Sequence, residues 1–383
     1  MKANNIFFKI GVILLILLVI YYLESSKATS NLGFGSSQTI ANKNSSKASI
    51  YQPAPELSGI EGYINTKDGF KLSDEKGKVI LVDFWTYSCI NCIRTLPYLT
   101  SWDEKYRNNG LVIVGVHTPE FEFEKDINNV KKAVEQNGIR YPVVLDNNYA
   151  TWQSYKNHYW PHKYLIDADG YIRYDHIGEG SYEETEAVIQ QLLMERNDKL
   201  KLEGLISKNV SGVQASEVGT PELYFGYQFA ESRNQQVGGK SFNHNQEVEY
   251  ELPATVYQNT IYLEGKWKNN AENVELVSDT GKIVLKYKAK VVNIVAGNTA
   301  EITLSVNDNE LSLEEVGSDV QIKNGKATVS VNEQKLYNLV DDSASFDSNQ
   351  ERFEYLKNSF SNEKTITIEV KGKGFQIYTF TFG

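Results

Sequence analysis

The chain has 383 residues, of which 41% are hydrophobic and 23% charged, with a formal net charge of −10. That length exceeds one ordinary core and implies two domains with appendages. The acidic balance, without a basic stripe interleaved with aromatics, excludes a nucleic-acid binder, whose affinity comes from clustered Lys and Arg on phosphates.

The first 23 residues, "MKANNIFFKIGVILLILLVIYYL", carry Lys2 and Lys9 near their start and a continuous apolar run from Ile10 to Leu23. As a helix, Ile6 to Leu23 would reach about 27 Å, close to the thickness of a bilayer core. A secretory signal peptide has a shorter apolar region and a small-residue cleavage site, and "SSKATS" serves poorly as one. The expectation is an uncleaved anchor with its basic end in the cytoplasm, cleavage and secretion being the alternative. No cysteine follows the run, which excludes lipid attachment there. On both readings the remainder is exported, facing the periplasm or the cell exterior, where disulfide chemistry persists. Residues 24–52 are rich in Ser, Asn, Lys and Gly and cannot offset their ordering entropy, so they read as a flexible tether.

Residues 53–198 alternate strand and helix patterns. "KVILVDFW" (78–85) is a nearly continuous apolar run, expected of a strand buried on both faces. A helix follows from about Ile90 to Arg107, with Ile93, Leu96, Leu99, Trp102 and Tyr106 at helical spacing. "LVIVGVH" is a second buried strand, 123–137 a helix ended by Asn137-Gly138, "YPVVLD" a third strand and "YATWQSY" a short helix. "HKYLIDADGYIRYDHIG" reads as a hairpin turning at Asp169-Gly170. "SYEETEAVIQQLLMER" is a closing helix with Ser181 as cap and Glu184 completing a capping box. The pattern predicts an α/β domain with a mixed sheet flanked by helices.

Residues 199–220 read as a linker. From 221 to 383 short alternating segments such as "NTIYLEGKW", "AEITLSV", "KATVSV", "KTITIEV" and "FQIYTFTF" are separated by Gly, Asn and Asp turns. They predict an all-β sandwich or jelly roll. The polar stretch "SASFDSNQERFEYLKNSFSNEK" reads as a loop.

Cys89 and Cys92 are the only two cysteines, separated by two residues at the strand-to-helix junction. Cys89 falls at a helix N-terminus, where unsatisfied N–H groups and the macrodipole stabilise a thiolate, the attacking species in disulfide exchange. Cys92, one turn inside, is placed to resolve a mixed disulfide. Asp83, six residues earlier, is placed to move the proton of the inner thiol. Pro161 precedes the strand "HKYLID", where an X-Pro bond can be cis and expose the Trp160 backbone to an incoming chain.

These features resemble the thioredoxin superfamily: "VDFW", the Cys89-Ile90-Asn91-Cys92 motif, Pro97 five residues further on, and the Pro161 strand followed by "LIDADG". The strings "DFWTYSCINCIRTLPYL", "VGVHTPEFEFEKD", "YWPHKYLIDADG", "GEGSYEET" and "TPELYFGY", with the β-rich tail ending "YTFTFG", are similar to DipZ-type proteins over roughly 53–383. The resemblance implies an extracytoplasmic thioredoxin-like domain of the TlpA/ResA kind followed by a carbohydrate-binding-module-like β domain. Its chemistry is carried by a redox-active Cys89–Cys92 disulfide with no other cofactor. DipZ-type proteins usually begin with a multi-helix CcdA-type membrane domain, and a single apolar segment stands in its place here. The expected partners are therefore exported protein thiols and disulfides, with a separate CcdA-type membrane donor of electrons.

Other chemistries remain open at this level. A two-residue-loop disulfide would be a poor staple, because so short a loop constrains little of the unfolded chain. A closed zinc site lacks its second Cys pair. A copper site resembling the Sco family would add one of His158, His162 or His176, but that family spaces its cysteines by three residues. A peroxidase reading rests on Thr86-Tyr87-Ser88-Cys89, the T-x-x-C spacing of peroxiredoxins, with Trp85 where Pro usually stands. Glu120 reads as a second acid or a solvated loop carboxylate. Trp85 and Trp160 read as an aromatic lip around the site or as core, and His117 as a satisfied core histidine. In the β domain Trp267, Tyr262 or Tyr287 could form a glycan platform, although they alternate as core residues do. Of reductase, oxidase and isomerase, reductase is favoured, since Ile90-Asn91 brings no cation that would favour a strong oxidant.

Overall fold

The computed structural model describes residues 47–209, 219–312, 315–342 and 363–383. The apolar N-terminal segment and most of the polar stretch 343–364 lie outside the described residues. Among the described residues no helix is long and apolar enough to cross a membrane.

Six strands form the first sheet: β1 (Gly62–Ile64), β2 (Val79–Trp85), β3 (Leu111–His117), β4 (Val143–Leu145), β5 (His162–Ile166) and β6 (Ile172–Ile177). Their order is β1-β4-β3-β2-β5-β6, with β2, β3 and β4 parallel and β5 antiparallel to both β2 and β6. Every residue of β2 is buried, because helices cover both faces of the sheet centre. On one face Leu96, Leu99, Trp102 and Tyr106 of α1 (Ile90–Tyr106) and Val130 and Val134 of α2 (Ile127–Gln136) pack against Leu81 and Trp85. On the other, Trp152 of α3 (Ala150–Ser154) and Tyr155 meet Ile80, Val82 and Phe84. The helix α4 (Tyr182–Arg196) adds Ile189, Leu192 and Leu193 to the first face.

Local details depart from the sequence expectations in four places. The helix expected over 123–137 is a 3-10 turn, Glu122–Lys125, followed by α2, whose cap is Asp126 accepting from Asn128 N at 2.9 Å. Ser181 forms no capping box: it sits at φ +45° with no side-chain cap bond, and Thr185 donates to its carbonyl instead. The left-handed backbone at Gly178, Gly180 and Ser181 turns the hydroxyl away from the helix end. The tether ends earlier than position 52, since the Gln52 carbonyl accepts from Ile172 N. Part of the expected linker is also docked: Ser207 Oγ accepts from Trp102 Nε1 at 3.0 Å and donates to Glu186 Oε2 at 2.6 Å.

The second sheet is antiparallel and twelve-stranded. Its strands are β7 (Leu223–Tyr224), β8 (Glu247–Tyr250), β9 (Ile261–Asn269), β10 (Val274–Leu276), β11 (Thr280–Tyr287), β12 (Val291–Gly297), β13 (Ala300–Val306), β14 (Gln321–Lys323), β15 (Lys326–Val331), β16 (Lys335–Asp341), β17 (Lys364–Lys371) and β18 (Gln376–Phe382). The main path runs β14-β15-β13-β17-β11-β9-β10-β18-β12-β16. β9 serves both halves, pairing through Ile261–Glu264 with β11 and through Trp267–Asn269 with β10. The change of partner follows Gly265 at φ +96°, a conformation that a side chain disfavours. The sheet thus curls over one core, consistent with a sandwich. Trp267 and Tyr287 are fully buried in that core and Tyr262 is also buried, so none of the three forms a surface platform.

The two sheets belong to one compact body, Tyr51–Gly383. An aromatic seam joins them: Phe121 packs on Tyr378 at 5.1 Å and on Phe229 at 5.5 Å, and Phe123 on Tyr378 at 4.8 Å. Around it Tyr87 Oη donates to the Gln334 carbonyl at 3.4 Å, Glu122 N to Glu272 Oε2 at 3.0 Å, and Lys132 pairs with Glu333.

Candidate active site

Cys89 occupies the N-cap of α1 in an extended conformation, and its Sγ accepts from Cys92 N at 3.4 Å. The strand–turn–helix sequence dictates this: β2 ends at Trp85, Thr86–Ser88 turn, and the helix begins immediately after the first cysteine. Both cysteines are free thiols, Cys89 half-exposed and Cys92 fully buried. The Trp160–Pro161 peptide is cis, and the Trp160 carbonyl lies 4.0 Å from Cys89 Sγ. The Trp160 indole donates to the Thr118 carbonyl at 3.0 Å and rests on Trp152 at 4.2 Å.

Asp83 sits behind the pair on β2, buried, with Oδ1 lacking a hydrogen-bond partner among the described residues. Burial pushes its carboxyl up to about 7, opposed by Lys163, its antiparallel partner on β5. Lys163 is itself fully buried, and burial lowers its ammonium while the Asp83 charge raises it. Its Nζ donates to the Gly178 carbonyl at 2.9 Å. Burial first, and then Cys89, drives the Cys92 thiol well above its ordinary value. The Asp83 charge is a further, smaller cause that raises the Cys92 thiol.

Four sequence expectations are corrected. Trp85 forms no lip: it is fully buried in the core, edge-on to His117 at 5.2 Å. The cover on both faces of β2 extends to this last residue of the strand, which leaves the core reading of the two. Thr86 does not point its hydroxyl at a substrate at Cys89, since Oγ1 lies 3.3 Å from His117 Nε2 within the core. His117 is held neutral by burial, which lowers it to about 3, and its Nδ1 has no hydrogen-bond partner among the described residues, so it is not a fully satisfied core histidine. Glu120 is no solvated loop carboxylate: it lines the Cys89 cleft, with Oε1 2.7 Å from Tyr224 Oη. Burial and the neighbouring Glu222 and Glu124 charges push its carboxyl well above the usual range. Of the histidines weighed for copper, His162 bonds Asn157 and Asp175, and His176 lies near the Glu179 carbonyl. His158 lines the Cys89 cleft. Among the described residues no group of three or more His, Cys, Asp or Glu side chains could hold a metal.

Sequence reasoning missed several groups. Lys163 reaches Asp83 only through strand pairing, which no local motif announces. Glu124, buried, accepts from Ser88 Oγ at 2.5 Å, Glu120 N at 2.6 Å and Phe121 N at 3.0 Å, tying the residue before Cys89 to the following loop. Arg94, not Ile93, is buried on α1 and reaches Glu179 Oε1 at 3.4 Å. The cleft in front of Cys89, about 700 Å³, is walled opposite by Pro221, Glu222, Tyr224, Arg233, Thr379 and Phe382 of the β domain.

A Redoxin family model matches residues 52–193, and a model described as a thioredoxin-like C-terminal domain matches residues 220–383. The thiol-disulfide oxidoreductase ResA of Bacillus cereus is 30% identical over 122 residues, covering 32% of this chain and 68% of ResA. The chain belongs to the thioredoxin-like thiol-disulfide oxidoreductases. The oxidoreductase is also homologous to Protein DipZ of Mycobacterium bovis, at 40% identity over 253 residues and 66% of this chain. It spans 36% of the length of that relative. Among solved structures, a thioredoxin-like protein in the oxidized form aligns at 28% identity and a TM-score of 0.36, covering 38% of this chain and 97% of the other.

Proposed function

We propose that the oxidoreductase reduces disulfides of exported proteins through Cys89 and Cys92, with the cysteine pair as its sole redox group. The observation that carries this reading is the half-exposed Cys89 in a cleft with a fully buried Cys92 behind it. Cys89 attacks a substrate disulfide and forms a mixed disulfide. Asp83 then takes the proton of Cys92, whose thiolate attacks the Cys89 sulfur and releases the reduced substrate. The Trp160 carbonyl beside Cys89 lies where the backbone of a bound chain would run, with Pro161 fixing the turn. Burial withholds stabilisation from the Cys92 thiolate, and a dithiol whose thiolates are less stabilised is the better electron donor, which supports the reducing direction. The chemistry belongs outside the cytoplasm, the apolar N-terminal segment acting as a membrane tether. A separate CcdA-type membrane protein would then restore the dithiol. The β domain serves as the far wall of the cleft.

The test is trapping. Cys92→Ser should accumulate mixed disulfides with exported proteins through Cys89, and the wild type should have a reduction potential near the −270 mV or so of thioredoxin. Absence of any adduct, together with no thiol turnover by the wild type, overturns exchange. A potential tens of millivolts higher overturns the reducing direction alone.

A further inference from the structure

The cleft holds a second acid, assembled from both domains. Tyr224 Oη lies 2.7 Å from Glu120 Oε1 on the thioredoxin-like side and 2.9 Å from Glu222 Oε2 on its own side. A tyrosine hydroxyl has one hydrogen to donate, and an ionised carboxylate can only accept. One hydrogen cannot satisfy both contacts, so one carboxyl must carry a proton and donate it to Tyr224 Oη. Burial raises both carboxyls, but Glu222 is the more exposed, whereas Glu120 is less exposed and has Glu222 and Glu124 as neighbouring carboxylates that raise it further. Glu124 accepts from Ser88, Glu120 N and Phe121 N, and its hydrogen bonds oppose the burial that raises its carboxyl. The proton therefore resides on Glu120, which donates to Tyr224, which in turn donates to Glu222. The other groups acting on Glu120 are Arg233, whose guanidinium stacks on the Tyr224 ring at 4.4 Å, and Tyr149.

We infer that Glu120, which shares the Tyr224 hydroxyl with Glu222 of the β domain, is the general acid that protonates the thiolate leaving when Cys89 attacks a substrate disulfide. Glu120, Glu222, Tyr224 and Arg233 line the same cleft as Cys89, so the leaving sulfur is released into the space that this acid faces. Cys89, having shed its proton to solvent, attacks one sulfur of the substrate disulfide. A bond forms between Cys89 and that sulfur as the substrate S–S bond breaks, and the electron pair goes to the departing sulfur. That sulfur takes the proton of Glu120 and leaves as a thiol. The second leaving sulfur, released when Cys92 closes the Cys89–Cys92 disulfide, takes the proton that Asp83 received from Cys92. Two electrons leave the enzyme dithiol, two thiols form, and Glu120 regains its proton from solvent. Glu120 acts in front of the outer sulfur as Asp83 acts behind the inner one, and Tyr224 is a positioning residue. The β domain thus completes the active site.

The inference rests on the disulfide-exchange reading, and its test separates the two. In full-length Cys92→Ser protein, which stops at the mixed disulfide, rates of attack are measured on small disulfides releasing either an aromatic thiol (thionitrobenzoate) or an alkyl thiol (2-mercaptoethanol). A stable aromatic thiolate needs no acid, whereas an alkyl thiolate does. Adding Glu120→Gln should slow release of the alkyl thiol on the order of a hundredfold and leave the aromatic thiol within about twofold. Tyr224→Phe, which keeps the ring in the seam, should reproduce the same selective loss in smaller measure. Equal slowing of both thiols, or no slowing of either, overturns the role of Glu120. Failure of Cys92→Ser to form an adduct with any disulfide overturns the exchange reading instead.

Discussion

The two walls of the cleft are built by different means. The thioredoxin-like wall is centred on one continuous stretch, Ser88–Asn91 and Arg94 at the turn and the start of α1, flanked by Glu120, His158–Trp160 and Glu179, with Asp83 and Cys92 buried behind it. The β wall is gathered from Pro221–Tyr224, Arg233, Val295 and Thr379–Phe382, segments far apart in the chain and fixed by one sheet. The first wall holds the reactive sulfur, and the second holds polar groups at a fixed distance from it. A site built this way gains substrate contacts without burdening the short cysteine loop, but it functions as built only while the domains stay docked.

The seam is the place to break that arrangement. Phe121 is 1% exposed and touches Phe123, Phe229 and Tyr378. Phe121→Ala should remove about 3–5 kcal/mol, the usual effect of deleting a buried aromatic ring. The measurement is calorimetry: one unfolding transition in the wild type should become two, and a single unshifted transition would show that docking does not depend on this cluster. Asp83→Asn acts on the first wall alone. It should slow resolution of the mixed disulfide on the order of a hundredfold, the typical contribution of a placed base. The wild-type rate should rise with pH through about 7, because Asp83 accepts the Cys92 proton only as the carboxylate. Rapid-quench decay of the mixed disulfide checks both statements, since the variant should lose that inflection. The smallest effect belongs to the solvated Lys132–Glu333 pair across the seam. Glu333→Gln should cost under about 1 kcal/mol in urea unfolding, and the difference should vanish at high salt.

What could be read in advance follows the same division. Cys89 as a helix cap was legible because an apolar strand, a three-residue turn and a helical period follow one another directly. Asp83 was legible for the same reason, as an ionisable residue inside an apolar run. Trp85 was legible only as lip or core, because the apolar run shows that both faces of β2 are covered but not whether the cover reaches its last residue. Lys163 required the antiparallel register that sets it opposite Asp83. Glu120 looked like a loop carboxylate because nothing near it in the chain reveals that Tyr224 lies above it. Ser181 had a capping sequence, but backbone at φ +45° took its side chain out of reach.

By itself the sequence determined the α/β and all-β halves and the redox pair at a strand-to-helix junction. Those properties depend on neighbours within a few residues, where hydrophobic period and helix-end chemistry act. Only the tertiary structure decided that Lys163 faces Asp83, that Trp85 is core, and that the β domain closes over Cys89 to hold Glu120. Those contacts join residues far apart in the chain, and their energies come from the burial and charge that packing alone creates.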